Sequence, residues 1–562
     1  MRDAAGRPVG CPDGTGEGQE KTMRDGQRVA VISGACAVVV AVAGVGAYAL
    51  LGGEDDASAL TGSSAGAEQT EAPTDAEVAE VSAAFLAAWA GEDATAAAAL
   101  TDDSRAAETA LTRFAEDTLV SELTLTGDSP TGASVPFTVD ARVVFEEEPA
   151  DWSYASELTV VRDAATGDAV VDWRPEVLHP QLGEDHRIET GPVGDFPPLR
   201  ALDLHGDELS AEDFPSLSPV LAELAERYAD QAGGSRGAEI RIVDAEGERT
   251  AQLMELTDPV PGEVPTTIDP AVQRAAEAAV QDQKHAAVVA VQPSTGAILA
   301  VADVPSGSAG IALNGSYAPG STWKVVSGGL LLGAGLAAPD APHPCPQFFE
   351  HGGWEFQNLD EFEIENGTFA TSFARSCNTA FISRAPELSD EQLGTYARDA
   401  FGIGLDWQVG VPSHNGTVPV ESQAQMAAQL IGQAGVRANP MVMASVSATV
   451  KSGVFRQPYL VPPSFDGRDL ARAPGPSAET AQQLRGLLNF TATSGTAAEA
   501  MAGLDGEIGG KTGSAEVMDQ DKPNAWFTAY RNDLAVAAMV SEIGHGGTYA
   551  GPIVAQVLRV GS

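Results

Sequence analysis

The chain has 562 residues and a formal net charge of −47. A chain this long needs several domains, because a single hydrophobic core stops growing at about 250–300 residues. The acidity excludes nucleic acid as a partner, since phosphate binding needs basic patches.

The first feature along the chain is an uncharged run, residues 29–51. As a helix it would measure about 34 Å, which is enough to cross a bilayer. Arg24 and Arg28 precede the run and acidic residues follow it, so the positive-inside rule predicts a cytoplasmic tail over 1–28 and an extracytoplasmic remainder. Two alternatives remain open, a cleaved signal peptide and a lipoprotein whose lipidated residue would be Cys36.

Residues 52–73 are rich in Gly, Ser, Ala and acids, which predicts a flexible linker. The segment 74–185 begins with a capping box, Thr74-Asp75-Ala76-Glu77, followed by apolar residues at helical spacing. Apolar and polar residues then alternate, which predicts strands over 137–145, 154–161 and 169–173. Helices followed by antiparallel strands predict a small α+β domain.

Residues 186–262 carry weaker patterns. They predict a helix over 217–228 and a hairpin formed by 240–243 and 251–256. From residue 263 onward the patterns predict helices over 272–280, 422–433 and 552–560, and strands over 286–291, 297–301, 525–529 and 534–540. A Pro-Ser-Thr-Gly turn joins the first two of these strands as a hairpin.

Ser321 and Lys324 lie three residues apart at the head of an apolar run, 325–332. On a helix, such a pair shares one face, so the hydroxyl and the amine can hydrogen-bond. A serine becomes a nucleophile when a base takes its proton, and a lysine serves as that base if burial lowers its pKa. The alternative is a surface helix with a snorkelling lysine. Against it, only six of the 32 basic residues are lysines, and Lys324 alone has a serine three residues before it.

Two further motifs follow, Ser376-Cys377-Asn378 and Lys511-Thr512-Gly513. A helix cap is the structural alternative for Ser376. A competing Ser-x-Asn begins at Ser413, but it lies between a proline and a glycine, which predicts a turn.

The order Ser-x-x-Lys, Ser-x-Asn, Lys-Thr-Gly resembles the signature of penicillin-interacting serine acyltransferases. The phrases Ala-Pro-Gly-Ser-Thr-Trp-Lys, Ser-Cys-Asn-Thr-Ala-Phe and Gly-Lys-Thr-Gly-Ser-Ala-Glu are similar to those of the transpeptidase domain of penicillin-binding proteins. The resemblance covers 263–562 and implies an antiparallel sheet flanked by helices. Residues 74–185 resemble the NTF2-like domain of methicillin-resistance-type class B members, and 186–262 would be a reduced pedestal region. The expected fold class is therefore multidomain α+β.

This resemblance implies a role for each motif residue. Ser321 would be the nucleophile, Lys324 its base, Ser376 the proton relay and Asn378 a ligand of the substrate amide. Lys511 and Thr512 would hold the terminal carboxylate of the substrate, and the backbone N–H groups of Ser321 and Ser514 would form the oxyanion hole. Glycines 509, 510 and 513 would leave room for the substrate backbone on an edge strand. The chemistry implies no cofactor and no metal.

Cys345 and Cys377 are the cysteines that the predicted topology leaves outside the cytoplasm, where cysteines tend to pair. We expect a disulfide that braces the second motif. The alternative is a zinc site that adds His343 and His351, but the close ligand pairs typical of structural zinc sites are missing.

The predicted function is a membrane-anchored class B D,D-transpeptidase that cross-links peptidoglycan stem peptides and is acylated by β-lactams. Its partners would be stem peptides, β-lactams, the cytoplasmic membrane and other cell-wall synthesis proteins. Two alternatives remain: a D,D-carboxypeptidase, which differs only in the acyl acceptor, and a β-lactam sensor. The sensor would need several membrane spans or a cytoplasmic effector.

Overall fold

The computed structural model describes residues 71–306, 310–518 and 520–560. The predicted membrane run, 29–51, lies outside these residues. Among the helices that are described, none has the length and apolar character needed to cross a membrane. The described chain forms two compact units: a first unit of the residues up to Gly191 together with Glu239–Met254, and a second unit of Pro192–Ala238 and the residues from Glu255 onward.

The described α-helices are, in chain order, α1 (Asp75–Ala90), α2 (Ala94–Ala98), α3 (Ser104–Asp117), α4 (Ser218–Tyr228), α5 (Pro270–Val280), α6 (Ile311–Asn314), α7 (Lys324–Gly333), α8 (Phe369–Ala374), α9 (Thr379–Ile382), α10 (Gln392–Phe401), α11 (Gln423–Gln429), α12 (Pro440–Ser452), α13 (Pro463–Asp466), α14 (Ala478–Ser494) and α15 (Gly546–Leu558).

The described strands are β1 (Val120–Gly127), β2 (Ser134–Phe145), β3 (Glu148–Arg162), β4 (Ala169–Val171), β5 (Arg187–Pro192), β6 (Arg200–Leu202), β7 (Ala238–Val243), β8 (Arg249–Thr257), β9 (Glu263–Pro265), β10 (Ala286–Val291), β11 (Ile298–Val304), β12 (Phe348–His351), β13 (Trp354–Gln357), β14 (Ile508–Ala515), β15 (Asn524–Arg531) and β16 (Leu534–Val540).

The first unit is the predicted small α+β fold. The capping box is present, because Thr74 N donates to the Glu77 carboxylate at 2.8 Å and the Thr74 hydroxyl accepts from Glu77 N. Helix α1 packs on the four-stranded antiparallel sheet β1-β2-β3-β4 through Trp89, whose ring centroid lies 6.0 Å from that of Phe137. The predicted hairpin of β7 and β8 also forms, and it extends a second sheet with β5.

The second unit is built on a five-stranded antiparallel sheet in the order β11-β10-β16-β15-β14. Side chains alternate between its two faces, as strand geometry requires. On β15, Trp526 faces the larger core with α7 and α12, whereas Phe527 faces a second core with α5 and α15. The sheet is therefore covered by helices on both faces, and the strands predicted over 286–291, 297–301, 525–529 and 534–540 are confirmed.

Two predicted helices have different bounds in the structure. Helix α11 ends at Gln429 rather than 433, because Gly432 adopts a left-handed φ of 74° and its carbonyl accepts from Gly320 N at 3.0 Å. Helix α15 begins at Gly546 instead of 552, and Pro552 lies inside it. A Cβ at Gly546 would overlap the Trp526 and Gly513 carbonyls, so this glycine is needed for the helix to start directly against the sheet.

Candidate active site

The first motif occupies a tight turn that leads into a buried helix. Ser321 lies in a 3-10 turn, Gly320–Trp323, and Lys324 is the first residue of α7. Side chains three residues apart eclipse one another in a 3-10 turn, which brings these two groups together. Lys324 Nζ donates to Ser321 Oγ at 3.0 Å. The predicted pairing of hydroxyl and amine is therefore present in the structure.

Lys324 is fully buried, and its other acceptors come from the second motif. Its Nζ donates to the Ser376 carbonyl at 2.8 Å and to Asn378 Oδ1 at 2.7 Å, and it lies 5.6 Å from the centroid of the Phe381 ring. Burial, and secondly the nearby charge of Lys511, hold the pKa of Lys324 well below its ordinary value. A buried lysine whose pKa is lowered in this way can serve as a general base.

The second motif bridges α8 and α9. Ser376 has a left-handed φ of 59°, and Lys511 Nζ donates to its hydroxyl at 2.8 Å. Lys324 Nζ lies 3.5 Å from the same oxygen. The competing Ser413 instead bonds to Asn415 Oδ1 at 2.9 Å, in an irregular segment. The structure thus brings the 376–378 motif to the first motif.

Asn358, which the sequence analysis did not single out, holds the second motif in place. Its Oδ1 accepts from the backbone N–H groups of Asn378 at 2.8 Å and Thr379 at 3.2 Å. Its Nδ2 donates to the carbonyls of Pro346 at 2.9 Å and Phe362 at 2.8 Å. Most of these contacts are with backbone atoms, which every residue type has. The sequence therefore contained no pattern from which the contacts of Asn358 could be predicted.

A disulfide joins Cys345 to Cys377, 32 residues apart, beside this asparagine. With both sulfurs bonded to each other, neither is a thiolate ligand, and the alternative zinc site loses two of its four members. The bridge anchors the middle residue of the second motif to the chain segment just before β12. Both cysteines are fully buried.

The third motif lies on β14, which is one of the two edge strands of the five-stranded sheet. Lys511 is fully buried, and burial lowers its pKa to about 7. Its Nζ lies 5.9 Å from the centroid of the Phe373 ring. The hydroxyl groups of Thr512 and Thr496 form a hydrogen bond at 2.6 Å. Like Asn358, Thr496 is a residue of the site that the sequence analysis did not identify. Ser514 Oγ lies 3.4 Å from His545 Nδ1.

Protein atoms lie next to each of the three glycines on the side where a Cβ would project. A Cβ at Gly509 would lie 2.6 Å from the Tyr530 ring, and one at Gly513 would lie 2.8 Å from Thr322 N. A Cβ at Gly510 would meet side-chain carbons of the surrounding core at 3.5 Å. The glycines allow close packing within the second unit, and Gly513 in particular lets β14 approach the turn that carries the nucleophile.

The site places a half-buried serine hydroxyl beside a buried amine with a lowered pKa. A second hydroxyl lies between two lysines, and a strand edge lies next to them. Together these features suit acyl transfer. Comparisons with known proteins lead to the same class. Residues 286–559 match the penicillin binding protein transpeptidase domain, and residues 77–186 match the NTF2-like N-terminal transpeptidase domain. The chain belongs to the penicillin-binding protein transpeptidase family.

Among curated relatives, the chain is 30% identical over 387 residues to the peptidoglycan D,D-transpeptidase PbpA of Mycolicibacterium smegmatis. This alignment covers 56% of this chain and 76% of that protein. Pseudomonas aeruginosa PBP2, solved in complex with WCK 5153, has a similar fold at 21% identity and a TM-score of 0.52, covering 66% of this chain and 96% of that one. Helicobacter pylori PBP2, solved in complex with MreC, aligns at 19% identity with a TM-score of 0.50, covering 59% and 70%. The chain is a serine-type peptidoglycan D,D-transpeptidase.

Proposed function

We propose that Ser321 is the acylated nucleophile of this transpeptidase and that Lys324 is its general base. The observation that carries the proposal is the 3.0 Å hydrogen bond between Lys324 Nζ and Ser321 Oγ, made by an amine that is fully buried. Desolvation disfavours the ammonium form, so the amine is prepared to take the serine proton.

In the first step, Ser321 Oγ bonds to the carbonyl carbon between the two D-alanines of a stem peptide, and its proton passes to Lys324. The peptide bond then breaks, and the terminal D-alanine leaves as an amine that receives a proton through the Ser376 hydroxyl. The acyl-enzyme is resolved when the amine of a second stem peptide attacks the ester and Ser321 regains its proton. A β-lactam carbonyl enters the same first step, and the opened ring remains on the serine.

The remaining motif residues hold the donor peptide. Lys511, in its charged form, and Thr512 bind the terminal carboxylate. Asn378 donates one N–H to the Gln357 carbonyl at 3.0 Å, which leaves the other N–H of its amide group for the substrate. Ser321 is the second residue of its 3-10 turn, so its N–H has no acceptor within that turn and, with the N–H of Ser514, can bind the oxyanion.

The test is intact-protein mass spectrometry after incubation with benzylpenicillin. The wild-type protein should gain the mass of one opened β-lactam, and Ser321→Ala should gain none. An adduct of the same mass on Ser321→Ala would show that another residue is acylated and would reject the assignment. Lys324→Ala should form the adduct at least about a hundredfold more slowly, as expected for loss of a general base.

We also propose that residues 29–51 anchor the enzyme in the cytoplasmic membrane as a single helix, with the N-terminus in the cytoplasm and the catalytic unit outside. The support is the uncharged length of this run and the arginines before it. The MreC complex of the Helicobacter relative supports assembly with other cell-wall synthesis proteins. Protease protection in intact cells tests the topology: external protease should remove the catalytic unit and spare the tail.

A further inference from the structure

A groove of about 640 Å³ lies between α8 and α14 in the second unit. None of the motif residues lines it. The lining includes Asp340, Thr371, Glu479, Gln482, Gly486 and Phe490. Pockets that bind small molecules typically measure about 300–1,000 Å³, so this groove could hold one or two sugar rings.

The two helices that form the groove also lead to the active site. Helix α8 ends at Ala374, two residues before Ser376. Helix α14 ends at Ser494, two residues before Thr496, whose hydroxyl bonds to Thr512. Eight residues separate Gly486 from the end of α14, which is about 12 Å along a helix. The groove is therefore separate from the reacting atoms, yet it lies along the helices that place the second and third motifs.

The chemistry of the lining favours an uncharged ligand with many hydroxyl and amide groups. Among the described lining residues there is no cation, and the two charged ones, Asp340 and Glu479, are acidic, so phosphates and carboxylates would be repelled. Gln482 makes no side-chain hydrogen bond to the described part of the chain, and its amide can both donate and accept. The hydroxyl of Thr371 on α8 and that of Thr368, the residue that caps α8, add to this mixed set of donors and acceptors.

Phe490 adds a flat apolar surface at one side of the groove. It is 40% exposed, although the leucines of the same helix are buried. An exposed aromatic ring next to polar groups suits a ligand that is apolar on one face and polar at its edges. A pyranose ring has this character, because its axial C–H groups form an apolar face and its hydroxyls lie at the rim.

We propose that this groove binds the glycan strand that carries the stem peptide. The inference rests on the peptidoglycan transpeptidase activity and specifies which further part of that substrate the enzyme recognises. The N-acetylated sugars of the strand are uncharged, since the lactyl carboxyl group is consumed in the amide bond to the stem peptide. Binding the glycan beside the catalytic helices would raise the local concentration of the attached stem peptide at Ser321.

The test compares a glycan-linked substrate with a free peptide, using the full-length protein in detergent. The substrates are uncross-linked glycan strands bearing pentapeptides and the soluble pentapeptide alone. Phe490→Ala should raise the KM for glycan strands about tenfold while leaving turnover of the free peptide and benzylpenicillin acylation within about twofold. Phe196→Ala is the matched control, because Phe196 is also an exposed aromatic, at 64%, and does not line the groove.

Gly486→Gln provides a second variant that fills the groove without disturbing the fold. A Cβ at Gly486 meets no atom within 4 Å, and a glycine inside a helix costs about 1 kcal/mol relative to better helix formers. This variant should raise the same KM and should also lose binding of chitotetraose, an oligomer of N-acetylglucosamine, which the wild type should bind in a ligand-observed NMR titration. Unchanged KM in both variants, or no chitotetraose binding by the wild type, would overturn the inference. Loss of penicillin acylation in the wild type would instead reject the assigned nucleophile.

Discussion

Lys324 and Lys511 lie on either side of one hydroxyl group, with Ser376 Oγ 3.5 Å from the first Nζ and 2.8 Å from the second. Both lysines are fully buried, and neither is paired with a carboxylate of the described chain. Two ammonium groups this close repel each other, which favours a state in which one is neutral and the other charged. The proposed roles divide the pair in that way, with Lys324 as the neutral base and Lys511 as the cation for the substrate carboxylate.

The first prediction is a bell-shaped pH dependence of acylation by benzylpenicillin. Lys324 must be neutral to take the serine proton, so the rate should rise with pH as this lysine deprotonates. Lys511 must be charged to bind the carboxylate, and burial lowers its pKa to about 7, so the rate should fall above about pH 7. The two limbs report the coupled pair rather than isolated residues.

Stopped-flow measurement of kcat/KM for acylation between pH 5 and 10 checks this prediction. Lys511→Arg is the informative variant, because arginine stays protonated throughout this range and the alkaline limb should move upward or disappear. A wild-type rate that kept rising through pH 9 would mean that Lys511 is not needed in its charged form.

The second prediction concerns Asn358. Replacement by leucine keeps most of the volume but removes the acceptor for two backbone N–H groups and the donor to two carbonyls. Leaving such groups buried without partners should cost about 3 kcal/mol of stability and slow acylation at least about tenfold, because the backbone of Asn378 and Thr379 loses its acceptor. Denaturant titration and penicillin acylation measure the two effects.

Asn366→Ala is the matched control for Asn358. Asn366 lies in the same disulfide-closed loop, is exposed and makes no side-chain hydrogen bond to the described residues. Its replacement should change stability by less than about 0.5 kcal/mol. Equal effects of the two substitutions would show that the polar contacts of Asn358 do not support the second motif.

The difference between Lys324 and Asn358 shows what could be predicted from the sequence. Ser321 and Lys324 are three residues apart, so local geometry alone predicts their contact. Ser376 and Lys511 are 135 residues apart, and only the resemblance to a family with ordered motifs brought them into one site. Asn358 bonds to backbone atoms from three separate segments, and no spacing rule links a side chain to the carbonyls that a fold will place near it.

The glycines and helix bounds illustrate a second limit. The sequence analysis began the last helix at 552, after Gly546, and did not foresee what packs against Gly513, because a sequence shows that a side chain is missing but not what occupies its place. In the structure, both positions are filled by neighbouring backbone. The strand predicted over 137–145 lies within β2, because the alternating burial of that strand is a local pattern. Close backbone packing between distant segments is not local, and it leaves no such pattern.

The third prediction concerns the disulfide. Replacing Cys345 and Cys377 together by serine removes a cross-link over 32 residues, which should cost about 3.5 kcal/mol by loop-closure entropy. The denaturant midpoint for loss of penicillin binding should fall accordingly. Dithiothreitol should lower the midpoint of the wild type to a similar extent and leave that of the double variant unchanged. A wild-type midpoint that does not respond to dithiothreitol would contradict the bracing role.

The last prediction tests the contact between β14 and the nucleophile turn. In Gly513→Ala, the new Cβ would lie 2.8 Å from Thr322 N and 3.1 Å from the Pro319 carbonyl, and both are backbone atoms that cannot rotate away. The strand must therefore shift from the turn by several tenths of an ångström, which separates Ser321 from the Ser514 N–H. Removal of one oxyanion-hole donor costs about 2.7–4 kcal/mol in other enzymes, so acylation should slow at least about a hundredfold.

Gly486→Ala is the control for Gly513→Ala. A Cβ at Gly486 meets no neighbour, so the substitution should stabilise α14 while acylation stays unchanged. If Gly513→Ala is acylated at the wild-type rate and is equally stable, the close approach of β14 to this turn does not position the oxyanion hole.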